Sequence, residues 1–167
     1  MKTSGIEFSR PLAVDRVPAG GSHEKLEADA KERAALALRL AVPALHMLKA
    51  EVRAIPWRGG LKVAGELTAD LDQVSVVSLE PFRNSQRIAV ERYFLPAGSV
   101  RGEAEAEADP IVKGAVDLGE LIAETLALEL DPYPRKPGEH FAGHIEFDEK
   151  PDAKALPFAA LSKLRKP

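Results

Sequence analysis

Apolar and polar residues alternate with a period of two along three long stretches of the chain. This is the pattern of a β-strand that buries one face and exposes the other. It predicts strands over residues 6–14, 48–57 and 61–71. Pro11 lies inside the first of these and cannot donate a backbone hydrogen bond, so that strand is expected at a sheet edge or at a bulge.

Two adjacent glycines, Gly59 and Gly60, separate the second and third predicted strands. Glycine readily adopts the positive φ that tight turns require, so the pair predicts a hairpin turn. Apolar runs over residues 74–79 and 87–95 predict two more strands, antiparallel to each other and connected by residues 80–85. The predicted sheet is therefore mainly antiparallel.

An alanine-rich stretch over residues 27–40 predicts the first helix. Leu36 and Leu40 are four residues apart and supply its apolar side, while charged residues are available to the solvent side. Pro43 disfavours helical geometry for the residue before it, so the helix is expected to end ahead of that proline.

A second helix is predicted to begin after Asp117 and to stop at Pro132. Asp117 followed by Glu120 has the form of a capping box, in which the aspartate accepts from the first-turn amides and the glutamate reaches back. The predicted inward stripe consists of Leu118, Leu121, Ile122, Thr125, Leu126 and Leu130.

These elements predict an α+β domain in which a mainly antiparallel, twisted sheet is packed by two helices; partial closure of the sheet into a barrel is an open alternative. Residues 97–110 are rich in glycine, alanine and acidic residues, which predicts a flexible solvated loop. A single domain is expected over residues 1–138. Residues 139–167 are expected to form a weakly ordered tail, with a short docking helix at residues 156–164 as an option.

The composition fits one domain with a real core, since the chain has 167 residues of which 45% are hydrophobic. It contains no cysteine, which excludes disulfides and thiolate metal sites, and we expect a cytoplasmic protein. Neither a secretion signal nor an apolar stretch of about 20 residues is present, so no membrane association is expected. The net charge of −3 gives no overall attraction to a polyphosphate, so any RNA contact must be local.

His140 and His144 are the best candidates for a metal site, because a separation of four residues places two side chains on one face of a helix. Gly138 and Gly143 oppose a helix there, and a solvated segment is the preferred interpretation. No serine lies in the Gly-x-Ser-x-Gly elbow of a hydrolase. We therefore expect neither an enzyme, nor a cofactor, nor a bound metal.

The end of the predicted hairpin collects residues able to bind a partner. Trp57 and Arg58 lie there, close to Arg53 and Lys62, and such a group is able to grip phosphate. The alternative is that they are solvated strand ends, since acidic residues nearly balance the basic ones in this part of the chain.

A second candidate for binding follows the second predicted helix. Arg135 and Lys136 lie between Pro134 and Pro137, a stiff segment that presents two charges at low entropic cost. Tyr133 adds an amphipathic ring. The alternative is that Tyr133 packs over the end of the helix while the two charges stay in solvent.

Several motifs of the chain resemble those of the YceD family of bacterial and plastid proteins, the large ribosomal RNA subunit accumulation proteins. The most specific is the block that joins the capped helix to its proline-rich exit. The motifs are Glu7-Phe8-Ser9-Arg10-Pro11, Trp57-Arg58-Gly59-Gly60, Val63-Ala64-Gly65, Ser78-Leu79-Glu80-Pro81, Asp117-Leu118-Gly119-Glu120, Asp131-Pro132-Tyr133-Pro134-Arg135-Lys136-Pro137-Gly138 and Pro157-Phe158-Ala159-Ala160-Leu161.

The resemblance implies a non-catalytic factor in the synthesis, processing or stability of large-subunit ribosomal RNA. Its expected partner is that RNA or a ribosomal or RNA-handling protein, and not DNA; the oligomeric state is left open. Many members of the family have a cysteine where this chain has Ser75, which excludes thiol chemistry at this position here. An RNA-processing or RNA-modifying enzyme and a small-ligand-binding module are the alternatives.

Overall fold

The computed structural model describes residues 6–99 and 107–140. It confirms an α+β fold with a mostly antiparallel sheet and two helices. In chain order the elements are β1 (Pro11–Ala13), β2 (Ser22–Glu27), α1 (Ala30–Arg39), β3 (Ala44–Trp57), β4 (Gly60–Val74), β5 (Pro81–Pro96), β6 (Asp109–Ile111), β7 (Ala115–Asp117) and α2 (Leu118–Glu129).

The main sheet has the strand order β2-β3-β4-β5-β6, in which only the short β6 runs parallel to its neighbour. Strands β2 and β6 are at opposite edges and do not pair with each other, so the sheet is open and the barrel alternative is wrong. Strands β1 and β7 form a separate two-stranded ribbon. The helices cover one face of the main sheet, and the opposite face, called the outer face below, carries the charged residues of the strands.

The two central strands follow the alternation of the sequence. Residues of one parity are buried, and each fully buried leucine or valine contributes roughly 1.5–3 kcal/mol. The buried face of β3 and β4 consists of Leu48, Ala50, Val52, Ala54, Leu61, Val63, Leu67, Ala69 and Leu71. Against it pack Leu36 and Ala37 of α1 and Leu118, Leu121, Ile122 and Leu126 of α2. This core holds the strand ends, which carry the candidate sites, in fixed positions.

The turn between β3 and β4 lies one residue earlier than the glycine pair predicts. Arg58 and Gly59 are the two loop residues, with φ of 49° and 81°, as a type I′ hairpin requires. Gly60 already belongs to β4 and pairs with Trp57. A Cβ at Gly60 would lie 1.8 Å from the carbonyl oxygen of Phe94, so this glycine is needed for close strand packing and not for the turn.

The strand predicted at residues 74–79 is wrong. Strand β4 continues to Val74, residues 75–80 form the connection, and β5 begins at Pro81. The predicted connection at residues 80–85 therefore lies mostly inside a strand. The apolar run is interrupted because Leu79 adopts a φ of 60° and its N–H donates to the carbonyl oxygen of Ser75 at 2.9 Å, which closes a turn.

The first strand is much shorter than the predicted residues 6–14. Only Pro11–Ala13 pair with β7, and Val14–Arg16 form a 3-10 turn. Phe8 is buried all the same, at 1% exposure, because it packs into the main core. The hydrophobic alternation here reflects burial in the core rather than a continuous strand, and Pro11 lies at the start of an edge strand as expected.

Helix α1 begins later than residue 27 because Asp29 caps it. The Asp29 carboxylate accepts from the N–H groups of Lys31 and Glu32, and Glu32 accepts from the Asp29 N–H, a complete capping box. The helix ends at Arg39, ahead of Pro43. Ala41 follows with a φ of 54°, and the Val42 N–H donates to the carbonyl oxygen of Ala37, as in a Schellman motif.

Helix α2 begins after Asp117, as predicted, and Asp117 accepts from the N–H groups of Gly119 and Glu120. The reciprocal half of the predicted capping box is absent from the described contacts of this helix. Glu120 instead forms a bidentate ion pair with Arg39 at 2.7 and 2.9 Å, which ties the two helices together.

Two predictions about loops fall wholly or partly outside the described residues. Residues 100–106 of the predicted acidic loop lie outside them, and the end of that loop is wrong because Asp109–Ile111 form β6. The predicted tail is described only at residues 139 and 140; residues 141–167, with the predicted docking helix, lie outside the described part.

Candidate functional site

The end of the β3–β4 hairpin carries a cluster of aromatic and charged side chains, called here the hairpin-end cluster: Trp57, Arg58, Lys62, Glu91 and Tyr93. The register of the sheet places Lys62 beside Tyr93. The rings of Trp57 and Tyr93 lie 4.8 Å apart at an interplanar angle of 56°. The Arg58 guanidinium lies 5.3 Å from the Trp57 ring, and the Lys62 ammonium lies 5.2 Å from the Tyr93 ring, both within cation–π distance.

The carboxylate of Glu91 offsets part of the positive charge of this cluster. It accepts a 2.5 Å hydrogen bond from the Tyr93 hydroxyl and pairs with Lys62 at 3.2 Å. The hydroxyl of Tyr93 and then the Lys62 charge hold the pKa of Glu91 below its ordinary value. The carboxylate is therefore ionised near neutral pH, and Lys62 already has an anionic partner.

Four cations along the outer face of the sheet are also paired with carboxylates, whereas Arg53 donates to the carbonyl oxygen of Gly20 at 2.7 Å. Glu51 and Glu66 lie directly opposite each other in the β3–β4 register, a repulsive arrangement that flanking cations relieve. The pairs are Lys25–Glu51 at 2.9 Å, Lys49–Glu27 at 3.2 Å, Arg87–Glu66 at 3.2 Å and Arg83–Asp70 at 2.5 Å. The charge of these four cations is offset by carboxylates, which weakens their attraction for a phosphate backbone and leaves Arg53 as the exception on this face.

At the opposite end of β4, Ser75 links the β4–β5 connection to the proline-rich segment that follows α2. Ser75 is fully buried, and its hydroxyl donates to the Glu139 carboxylate. The same oxygen accepts from the N–H of Val77 at 3.1 Å and from that of Ser78 at 3.4 Å. The Val76 N–H donates to the carbonyl oxygen of Pro134 at 2.9 Å, a second link between the two segments.

The carboxylate of Glu139 is the other half of this link. It also accepts from the N–H of Lys136 at 3.2 Å. The hydroxyl of Ser75, then that of Ser78, lowers the pKa of Glu139, so the carboxylate is charged at neutral pH. The Lys136 ammonium pairs with Glu80 at 3.1 Å, which adds a third link across the two segments.

The two linked segments carry an exposed surface, called here the exit patch, which consists of Val76, Leu79, Tyr133 and Arg135. Val76, Leu79 and Tyr133 are 45%, 77% and 70% exposed. Within the described part of the chain, Arg135 has neither an ion-pair nor a hydrogen-bond partner. Three apolar or aromatic side chains and one arginine, which has no such partner among residues 6–99 and 107–140, therefore face solvent along the two connected segments.

The sequence-predicted site residues fall into two separate groups. Trp57 and Arg58 are at one end of β4, whereas Tyr133, Arg135 and Lys136 are beside its other end. At about 3.3 Å per residue, the 15 residues of β4 extend over roughly 45 Å, so the structure does not bring the two groups together. Tyr133 is 70% exposed, so most of its side chain is open to solvent rather than covered by the end of α2.

The sequence pattern does not mark four residues of these surfaces as site residues: Glu91, Tyr93, Val76 and Leu79. Tyr93 joins Trp57 only through the β4–β5 register, which links residues distant in sequence. Val76 and Leu79 look like buried positions of an apolar strand. The Ser-Leu-Glu-Pro sequence at residues 78–81 was the available signal, since proline often follows a turn.

Metal-ligating residues do not cluster in the part of the chain that the structure describes, where no group of three His, Asp or Glu side chains is suited to a metal. His46 pairs with Asp72 at 3.0 Å. His140 is exposed, and His144 lies beyond the described residues. None of the helices within residues 6–99 and 107–140 is long and apolar enough to cross a membrane.

Comparison with known proteins identifies the family of the chain. The model of the family described as "Large ribosomal RNA subunit accumulation protein YceD" matches residues 63–165, more than half of the chain. The matched range includes the exit patch and the Ser75 link, whereas Trp57 and Arg58 precede it. No curated protein and no solved structure matches the chain. On the extent of the family match, the chain belongs to the YceD family of large ribosomal RNA subunit accumulation proteins.

Proposed function

We propose that this protein supports the accumulation of large-subunit ribosomal RNA by binding a ribosomal or RNA-handling protein, and that it catalyses no reaction itself. The family description supplies the link to ribosomal RNA. The observation that carries the choice of a protein partner is the exit patch, where Leu79 is 77% exposed although its backbone has a φ of 60°. For a leucine, both the left-handed backbone conformation and the exposure of the apolar side chain to water are unfavourable in free energy.

The composition of the exit patch supports a protein partner. Tyrosine and arginine are enriched among the residues that dominate protein–protein binding energy, and apolar side chains form the centre of such interfaces. The patch stands on a backbone fixed by Ser75 and Glu139, so little conformational entropy is lost when a partner binds. The paired cations of the outer face make a phosphate-driven contact there less favourable.

A direct contact with RNA is the second candidate, because of the hairpin-end cluster. Trp57, Arg58 and Tyr93 place two rings and an arginine at one exposed strand end, the chemistry that stacks on unpaired bases. Against it, Glu91 already pairs with Lys62 and accepts from Tyr93. An RNA site here predicts binding that weakens steeply as salt rises.

Asparagine substitutions at left-handed positions separate the two candidates. Leu79→Asn removes the apolar side chain from the exit patch, and Arg58→Asn removes the cation from the hairpin end. Lys113→Asn is the matched control, because Lys113 is exposed with a φ of 52°. Asparagine tolerates positive φ better than the residues it replaces, so all three variants are expected to fold as well as the parent.

Each variant is expressed in cells that lack the gene, and the ratio of large- to small-subunit ribosomal RNA is measured. We expect Leu79→Asn to reduce restoration of this ratio at least several-fold, and Arg58→Asn and Lys113→Asn to restore it fully. A defect confined to Arg58→Asn, together with salt-sensitive binding of the purified protein to precursor RNA, would favour the RNA candidate. Normal ratios in cells without the gene would overturn the link to ribosomal RNA.

A further inference from the structure

A groove of about 460 Å³ lies between the ends of both helices and the end of β4. Its walls are mainly apolar and include Leu40, Val42, Val74, Leu130 and Pro134. Val74 is exposed at its rim, and Leu40, Val42 and Leu130 pack against the core from the other side. An apolar groove of this kind is suited to receive a few side chains of an added segment.

One wall of the groove has a negative electrostatic character. Helix α2 ends there, and its last turn contains no basic residue. Glu129 ends the helix and Asp131 lines the groove; Arg39 also lines it, but its charge is offset by Glu120 and Glu7. Because the carbonyl groups at a helix C-terminus carry partial negative charge, cations are favoured beside this wall.

We propose that the chain's own segment, residues 156–164, binds in this groove. Phe158, Leu161 and Leu164 recur every third residue, so one face of a helical turn would present all three to the apolar walls. Lys163 and the basic residues that follow it complement the acidic end of α2. The occupant thus matches the groove in both its apolar and its charged parts.

The point at which the described chain ends supports this occupant. Glu139 is fixed to Ser75, which directly follows Val74 at the rim of the groove. Roughly 15 residues separate His140 from the segment, and an extended chain of that length spans about 50 Å. The segment therefore starts from an anchor beside the groove, and its effective concentration there is high.

Because the protein contains no cysteine, a pair of introduced cysteines reports the proposed contact directly. Val74→Cys combined with Leu161→Cys places one thiol at the rim and one on the segment. The control combines Leu161→Cys with Lys113→Cys, since Lys113 is exposed beyond β6, near the opposite end of β5. Both proteins are full length and are oxidised at low micromolar concentration, and products are identified by mass spectrometry after proteolysis.

We expect the Val74–Leu161 pair to form an intramolecular disulfide at least tenfold faster than the control pair, because the proposed contact brings the thiols within bonding distance. Reversal of Lys163 and Arg165 to glutamate should slow that reaction. Equal rates in the two pairs would overturn the proposal, and so would disulfides that join two copies, since these would assign the groove to a second molecule. Neither result bears on the Leu79→Asn measurement, so the two proposals fail separately.

Discussion

A single buried hydroxyl, that of Ser75, organises the surface for which we propose a partner. It donates to Glu139 and accepts from two backbone N–H groups of its own turn. A thiol at this position would be a weaker donor and acceptor, so the serine suits a link made by hydrogen bonds. The consequence is that the exit segment of α2 stays close to the β4–β5 connection.

Ser75→Ala should destabilise the protein by about 1–3 kcal/mol, because it leaves buried polar groups without a partner. The measurement is urea unfolding at neutral pH. Ser85→Ala is the control, since Ser85 is exposed on β5 and its loss should change the unfolding free energy by less than about 0.5 kcal/mol. Equal effects of the two substitutions would show that the Ser75 hydroxyl has no special role.

Among the elements, the two helices are joined to each other by Arg39 and Glu120 as well as through the core. The guanidinium contacts both oxygens of Glu120, and Glu7 accepts from it at 3.2 Å. Glu120 and then Glu7 raise the pKa of Arg39, so the guanidinium stays charged throughout the accessible pH range. Both side chains are half-buried, which reduces solvent screening of the pair.

A double-mutant cycle with Arg39→Ala and Glu120→Ala should give a coupling energy of roughly 1 kcal/mol, near the upper end for partly exposed pairs. The control cycle uses Lys25 and Glu51, whose side chains are mostly exposed. Its coupling energy should be below about 0.5 kcal/mol. A coupling between Arg39 and Glu120 no larger than the control would mean that the bidentate geometry adds nothing to stability.

The elements also show what the sequence can predict. The alternation predicted most of β3 and β4, because both strands bury one face along most of their length, but it missed residues 44–47 and the two ends of β4. It failed at residues 74–85, where the apolar residues Val76 and Leu79 are exposed in a turn made by Ser75. A hydrophobic pattern does not reveal the local hydrogen bonds of a serine side chain. It also does not reveal a positive φ at a leucine.

The candidate sites were predictable to a similar extent. Trp57, Arg58 and Arg135 could be selected by residue type and by their place at element ends. The contacts around them could not be predicted, because they join residues distant in sequence. Tyr93 lies beside Trp57 through the strand register, and Ser75 donates to Glu139 across 64 residues. The separation of the two groups by the length of β4 likewise depends on a contact between distant residues, the hydrogen bond from Val76 to Pro134.

At the scale of the whole molecule, carboxylates stabilised by folding are distributed over both ends of the sheet and the first helix. Each has a pKa below its ordinary value because a hydrogen bond or a nearby cation favours the charged form. They are Asp29 with the Glu32 N–H, Glu32 with Arg10, Asp70 with Arg83, Glu91 with the Tyr93 hydroxyl, and Glu139 with the Ser75 hydroxyl. Unfolding releases all of them from these partners, so the unfolded chain binds more protons in mildly acidic solution.

The free energy of unfolding should therefore be nearly constant above the ordinary carboxyl pKa of about 4 and should fall as the pH drops through the lowered values. The double variant Asp70→Asn/Glu139→Gln tests whether the ionised carboxylates stabilise the fold. The two residues have different partners at the same end of the sheet, and both have a lowered pKa. Near neutral pH the double variant should be less stable than the parent. Towards about pH 3 the difference should shrink, since the parent's own carboxylates become protonated there. Urea unfolding across this range measures both curves, and a constant difference between them would show that the ionised forms of these two carboxylates do not stabilise the fold.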